Sequence, residues 1–332
     1  MKICVLGAGA WGTALAIHLG KKHPTALWAR NSGHVSGMKK AQSNPLYLGD
    51  FKFPSLLGIC NDLKVALFEV DLIVCAVPTS GFRQILKLLN EINQSSPVVW
   101  ANKGLEQGTA KLPHEIAFEE LGDPKINNRH YGVISGPSFA AELVRSLPTA
   151  LTLASTNKEI TTLAAKAFHH NNLRVYTSED VAGVSVGGAL KNVIAIAAGI
   201  SDGMGFGNNA RAALITRGLA EISRFGAHLG AIPETFSGLA GSGDLVLTCT
   251  GEYSRNREVG IQLAKGQPLD AILTSLGHVA EGVYTATEVI RRIDNLEIEM
   301  PITSEVNNVI QFGKSPKEAV LDLLGRSIKP EG

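Results

Sequence analysis

Gly7-Ala8-Gly9-Ala10-Trp11-Gly12 is the first run of the 332-residue chain with chemistry in it. The apolar residues 3–6 lead straight into it, and apolar residues at helical spacing follow. GxGxxG in such a strand–turn–helix setting predicts a dinucleotide site. The first glycine makes the tight turn, the second lets a pyrophosphate approach the backbone, and the third lets helix and strand pack. The helix start offers unpaired N–H groups and a positive dipole end, so Gly7, Gly9, Ala10, Trp11 and Gly12 are expected against the cofactor. A glycine turn without a ligand is the plainer alternative. Where a second strand should end, the chain reads Leu27-Trp28-Ala29-Arg30. An acidic residue there would hold a ribose hydroxyl and favour NAD; the guanidinium of Arg30 suits a 2′-phosphate, so NADP is accepted as well as NAD. An ordinary solvated arginine is the competing reading.

Four further segments gather polar residues among glycines: Asn102-Lys103-Gly104-Leu105-Glu106, Gly136-Pro137-Ser138-Phe139-Ala140, Ala189-Leu190-Lys191-Asn192, and 238–256, which reads GLAGSGDLVLTCTGEYSRN. Ser254-Arg255-Asn256 opens a helical pattern, and a serine cap, free N–H groups and an arginine together suit a phosphate. Simple capping would account for the same serine.

These residues need a scaffold. Short apolar runs at 3–6, 25–28, 72–77, 98–101, 131–134, 150–154 and 173–176 alternate with helical patterns at 11–19, 82–89 and 160–169. Continuous apolar runs of this length read as parallel strands covered on both faces, which makes an α/β, Rossmann-like doubly wound sheet the expected fold of residues 1–183. Beyond 184 the strand signal fades, and an all-α domain is expected over 184–332. Its helices fall at 186–200 and 208–229, joined by the loop 201–207, then at 255–265, 280–294, 301–312 and 316–324.

The chain is 45% hydrophobic, ample for two cores, and 31 basic residues against 30 acidic ones give a net charge of +1, which argues against a nucleic-acid partner. Cys4, Cys60, Cys75 and Cys249 show no paired spacing, and the adjacent His169 and His170 are not a helical ligand pair, so neither a disulfide framework nor a metal is expected. Met1 leads directly into the first strand, and no uninterrupted apolar stretch approaches the roughly 20 residues of a membrane span. A soluble, cytoplasmic protein without a membrane partner is the expectation.

Taken together in their order, GAGAWGTALA, the KGLE segment, GPSFA, ALKN, SRNR and Val279-Ala280-Glu281-Gly282 resemble the NAD(P)-dependent glycerol-3-phosphate dehydrogenases of the bacterial type over essentially the whole chain. The resemblance implies reversible reduction of dihydroxyacetone phosphate to sn-glycerol 3-phosphate, feeding glycerophospholipid synthesis, and a homodimer. Reducing a ketone with hydride requires a proton for the developing alkoxide, a donor for its charge and a grip on the phosphate. Lys191 is the expected proton donor: in an apolar Gly/Ala-rich helix its ammonium is costly, which lowers a pKa that starts at about 10.4. A buried lysine paired with a carboxylate is the structural alternative. Lys103, just past a strand, matches a family lysine that meets substrate and cofactor, and could lower Lys191 further. Asp244 would orient Lys191 or bind a substrate hydroxyl, or could merely cap a helix. Arg255 matches an arginine reaching both substrate phosphate and cofactor, with Ser254 and Asn256 beside it. Gly136 and Ser138 match substrate-lining positions; Ala140, Val279 and Glu281 match cofactor contacts. Asn192 and Thr248 are further candidate hydrogen-bonders, and Cys249 reads as structural. Asn102 stands where many relatives carry Ser or Thr, a change that should keep local hydrogen bonding. Two other readings compete. β-Hydroxyacid dehydrogenases place Asn four residues after the lysine, where this chain has Ala195; a nucleotide sensor would have no use for Lys103, Lys191, Asp244 and Arg255 together.

Overall fold

The structure is a computed structural model that describes residues 1–327 apart from 125, 127, 128, 278 and 295; the end of the expected helical unit, 328–332, lies outside the described residues. Eight strands form one sheet: β1 (Ile3–Leu6), β2 (Thr25–Trp28), β3 (Leu57–Cys60), β4 (Leu72–Cys75), β5 (Val98–Trp100), β6 (Tyr131–Ser135), β7 (Thr149–Ala154) and β8 (Leu173–Ser178). Their order is β3-β2-β1-β4-β5-β6-β7-β8, a doubly wound sheet followed, among the described residues, by helices alone. The unbroken apolar runs have the cause expected of them. On β1, Ile3 and Val5 pack with Leu15, Leu19 and Phe168 on one face, while Cys4 and Leu6 pack with Phe82, Leu86 and Ile116 on the other. Each side chain of Leu or Ile size buried this way contributes about 1.5–3 kcal/mol.

Three features depart from the expected pattern. Strand β3 is an edge strand with a glycine in it, only partly buried, and leaves no apolar run to read. The helices Ser32–Ala41, Pro113–Leu121 and Leu269–Leu276 were likewise absent from the periodic segments. The strands are also not all parallel: β6 and β7 run antiparallel, pairing Val133 with Ala154 and Ser135 with Thr152, whereas β7 and β8 are parallel to each other. The connection between β6 and β7 holds only the five-residue helix Ala140–Val144. At 1.5 Å per residue that helix covers about 7.5 Å, too little to carry the chain back along a strand roughly 20 Å long.

The second unit is built around the helix Val181–Gly203, whose first turn is capped by Asp180 accepting from Gly183 N at 2.8 Å. Residues 183 and 184 lie in that first turn. This helix is long and apolar enough to cross a bilayer, yet 89% of its most apolar window is buried within the fold, as a core helix should be. Its small residues let the helix Arg255–Ala264 approach backbone to backbone: a Cβ on Gly199 would lie 2.0 Å from Arg257 O, and one on Gly260 2.1 Å from Ile196 O. The helices Pro301–Phe312 and Pro316–Leu324 begin and end where their prolines and glycines indicated.

Candidate active site

Strands β1, β4, β5 and β6 are parallel neighbours, so the loops leaving their carboxyl ends meet along one edge. Those loops carry the glycine turn, Pro78-Thr79, Asn102-Lys103 and Gly136–Ser138. The connections reverse direction between β1 and β4, the point where such sheets bind ligands. Gly7 has φ +109°, and a Cβ on Gly12 would sit 1.9 Å from Gly7 O, so turn and packing both require these glycines. Gly9 differs: its missing Cβ would meet nothing within 4 Å. It is the N-cap of the helix Ala10–Gly20, and no side chain caps that end. An open cradle above an uncapped helix start fits the pyrophosphate of NAD(P). Beneath it, the fully buried Asn44 donates to Ala8 O at 3.0 Å and to Thr13 Oγ1 at 2.8 Å. Nothing in the spacing of Asn44 marks it in the sequence. Arg30 stands exposed just past β2.

At the other end of the edge, one carboxylate serves two ammonium groups. Asp244 is 1% exposed; its Oδ2 accepts from Lys103 Nζ at 2.7 Å and its Oδ1 from Lys191 Nζ. Lys191 Nζ also donates to Thr248 Oγ1 at 2.9 Å, and Lys103 Nζ to Gly136 O at 3.4 Å. Thr248 Oγ1 donates to Asp244 O at 2.6 Å, and Ser135 Oγ lies 3.4 Å from Asp244 Oδ2, a partner missed in the sequence. Lys191 is thus a buried lysine paired with a carboxylate, and a second cation, Lys103, shares that carboxylate. Burial lowers the Lys191 pKa to about 7, with Asp244 opposing the fall and Lys103 adding to it. Burial pushes Asp244 up, but the two ammonium groups outweigh it and hold its carboxyl below the usual range.

A ladder of buried amides joins this centre to its surroundings. Asn192 Nδ2 donates to Lys103 O at 3.1 Å, Asn256 Nδ2 to Asn192 Oδ1 at 3.0 Å, and Gly282 N to Asn256 Oδ1 at 3.1 Å. Both ends of the Asn256 amide are thus bonded within the protein. Ser254 Oγ caps its helix by accepting from Arg257 N at 3.3 Å, and leaves Arg255 exposed at the first helical position. Glu281 Oε1 accepts from Thr79 N at 3.0 Å, which ties the second unit to the loop after β4. Val279 is exposed nearby in the chain; Ser138 turns back on Gly136 O at 3.0 Å, and Ala140 is half-buried at the start of its short helix. Asn102 Nδ2 donates to Val77 O at 2.7 Å, which keeps the loops after β4 and β5 together.

The family model described as the NAD-dependent glycerol-3-phosphate dehydrogenase N-terminus matches residues 2–161, and its C-terminal counterpart matches 180–321. The chain belongs to this family. A glycerol-3-phosphate dehydrogenase [NAD(P)+] of Methylobacillus flagellatus is 60% identical over 331 residues, spanning 100% of this chain and 99% of that one. One from Aromatoleum aromaticum is 49% identical over the full length of both. The crystal structure of glycerol-3-phosphate dehydrogenase from Coxiella burnetii superposes with a TM-score of 0.93 at 40% identity, over 98% of this chain and 99% of that one. This glycerol-3-phosphate dehydrogenase family member is an oxidoreductase that binds NAD or NADP, and the β-hydroxyacid dehydrogenase and sensor readings lapse.

Proposed function

We propose that the chain catalyses the reversible reduction of dihydroxyacetone phosphate to sn-glycerol 3-phosphate, with Lys191 as proton donor. The observation that carries this reading is the buried Lys103–Asp244–Lys191 centre, which holds two cations against one anion beside the cofactor edge. When bound, the nicotinamide supplies the hydride that the ketone carbon accepts. Lys191 gives a proton from Nζ to the carbonyl oxygen and takes it back in the oxidation. An ammonium has three N–H donors; Asp244 and Thr248 take two of those on Lys191, which leaves one for the substrate oxygen. A pKa of about 7 suits a group that must give and regain a proton near neutrality. The excess positive charge of the centre favours an oxygen that is becoming negative. Arg255 and the Ser254-capped helix start supply the phosphate grip, while Gly7, Gly9, Ala10, Trp11, Gly12, Arg30, Ala140, Val279 and Glu281 line the dinucleotide. A cytoplasmic homodimer that feeds glycerophospholipid synthesis completes the proposal; it rests on the family resemblance and on the product being the phosphorylated backbone of those lipids.

The test follows NADPH absorbance after adding dihydroxyacetone phosphate, with unphosphorylated dihydroxyacetone as the control. Rapid oxidation with the phosphorylated ketone alone is expected, and Lys191→Ala should cut turnover by roughly 10²–10⁴ while cofactor affinity stays near wild type. Equal rates with both ketones, or an Ala variant as fast as wild type, would overturn the reading.

A further inference from the structure

The loop that carries Lys103 is held in an unusual shape. It turns back on itself, with Glu106 N donating to Lys111 O at 2.8 Å and Ala110 N to Glu106 O at 3.0 Å. Gly108 has φ +81° and Ala110 φ +54°, the left-handed region that costs a residue with a side chain. Ala110 is 5% exposed, so its backbone groups must find partners within the protein. The N–H groups of these two residues converge on one carboxylate from another element: Glu288, 3% exposed on the helix Glu281–Ile293, accepts from Gly108 N at 3.0 Å and from Ala110 N at 3.1 Å. Converging N–H groups of this kind form an anion-binding concavity, and Glu288 fills it from within the protein. The same helix reaches the cofactor edge through Glu281 and receives the amide ladder at Gly282.

We propose that Glu288 is a positioning residue for the reaction: its carboxylate holds the Gly108–Ala110 turn left-handed and so fixes the path by which Lys103 reaches Asp244. The helix acts as a strut that sets the Lys103 loop and the Thr79 loop from a single rigid element. Arg83, bidentate on Glu106 at 2.7 and 2.6 Å, steadies the start of the turn but leaves the left-handed pair ungripped. Arg292 holds Ala110 O at 2.9 Å, and Arg291 Nε lies 3.4 Å from Glu288 Oε2, so the carboxylate keeps a cation beside it. This inference rests on the functional reading given above, because Lys103 is the group being positioned.

Glu288→Gln preserves size and turns one acceptor into a donor facing an N–H group. In the full-length protein three quantities are read: exchange of the Gly108 and Ala110 amides, the rate at which an amine-directed reagent labels Lys103, and steady-state reduction of dihydroxyacetone phosphate across pH. Faster exchange and faster labelling are expected in the variant, together with a roughly 10–100-fold lower kcat/KM, the cost of displacing a reacting group by about an ångström. The pH limb of kcat should also rise, because Lys191 loses the nearby ammonium that lowers it. Glu288→Gln combined with Ala110→Gly, which makes the left-handed turn free of side-chain cost, should recover part of the activity. Unchanged labelling and exchange would overturn the inference, as would an activity loss that tracks thermal unfolding with an unmoved pH limb. Wild-type protein inert toward dihydroxyacetone phosphate would sink the functional reading instead, while the labelling and exchange still decide whether Glu288 sets the loop.

Discussion

Replacing Asp244 with Asn leaves the shape of the centre in place and removes its only negative charge. The magnitude follows from the geometry. Charge centres about 4 Å apart in surroundings of effective dielectric about 20 interact by about 4 kcal/mol, or about a thousandfold in an equilibrium. Lys191, already brought to about 7 by burial, would lose its one opposing partner and keep Lys103 beside it. Its pKa then falls further below the usual lysine range, so that at pH 7 only a small minority of molecules carries the proton to be given. Water entering the gap trims the effect, which sets the expected loss in single-turnover reduction at about 10²–10³-fold. The sign of the pH response is distinctive. With Lys191 as the proposed proton donor, wild-type reduction should decline as pH rises through about 7. The variant should have lost its activity already at neutral pH and recover it as pH is lowered. Stopped-flow NADPH oxidation between pH 5 and 9 reads both, and a urea midpoint at each pH reports folding separately. A variant whose pH limb stays near 7, with a rate within about threefold of wild type, would refute the claim that Asp244 sustains the Lys191 proton.

Gly9→Val should weaken NADPH binding about tenfold or more by filling the cradle while leaving the melting temperature alone, whereas Gly12→Ala, driven into Gly7 O, should cost about 1–3 kcal/mol of stability. Fluorescence titration and thermal melts separate the two, and equal losses of stability would count against the cradle. Arg255→Ala should raise KM for dihydroxyacetone phosphate about 10–100-fold, the worth of a charge-assisted hydrogen bond, with little change for any residual turnover of unphosphorylated dihydroxyacetone. Arg30→Asp should move the NADPH/NADH ratio of kcat/KM toward NADH by a similar factor; a ratio that does not move removes Arg30 from cofactor choice.

The parts of the fold legible in the sequence were those written in local order. β1 and its glycine turn declare themselves because strand, turn and helix follow one another within a few residues, and the terminal helices are bracketed by their own prolines and glycines. Direction is not local: 150–154 reads as a buried strand whichever way it runs, and only the short β6–β7 connection makes it antiparallel. The edge strand β3 buries too little to leave a pattern. Within the site, Lys191 stood out as a charge inside an apolar helix, and Asp244 as an acid in a glycine-rich loop. That Lys103 meets the same carboxylate depends on a contact across 141 residues, which no spacing rule encodes. Asn44 and Glu288 are further cases. Each looks like an ordinary polar residue in a loop or amphipathic helix, and each acquires its role only by reaching the backbone of a distant turn.

The burial of Val181–Gly203 has a consequence for how the protein is made. Every strand of the sheet precedes this helix in the chain, so the first unit can fold while the rest is still being synthesised. The helix itself has no such advantage, because the segment that packs most intimately against it, Arg255–Ala264, has yet to be translated when it emerges. At about 5–20 residues per second the interval is about 3–12 s, during which a helix apolar enough to enter a bilayer has its sticky surface uncovered. The single lysine in its middle serves here as well: until Asp244 arrives, the charge of Lys191 interrupts the apolar surface and makes insertion into lipid more costly by about 2.5–3.5 kcal/mol. The lysine that pairs with Asp244 in the folded protein thus also raises the cost of placing this helix in lipid before it is covered.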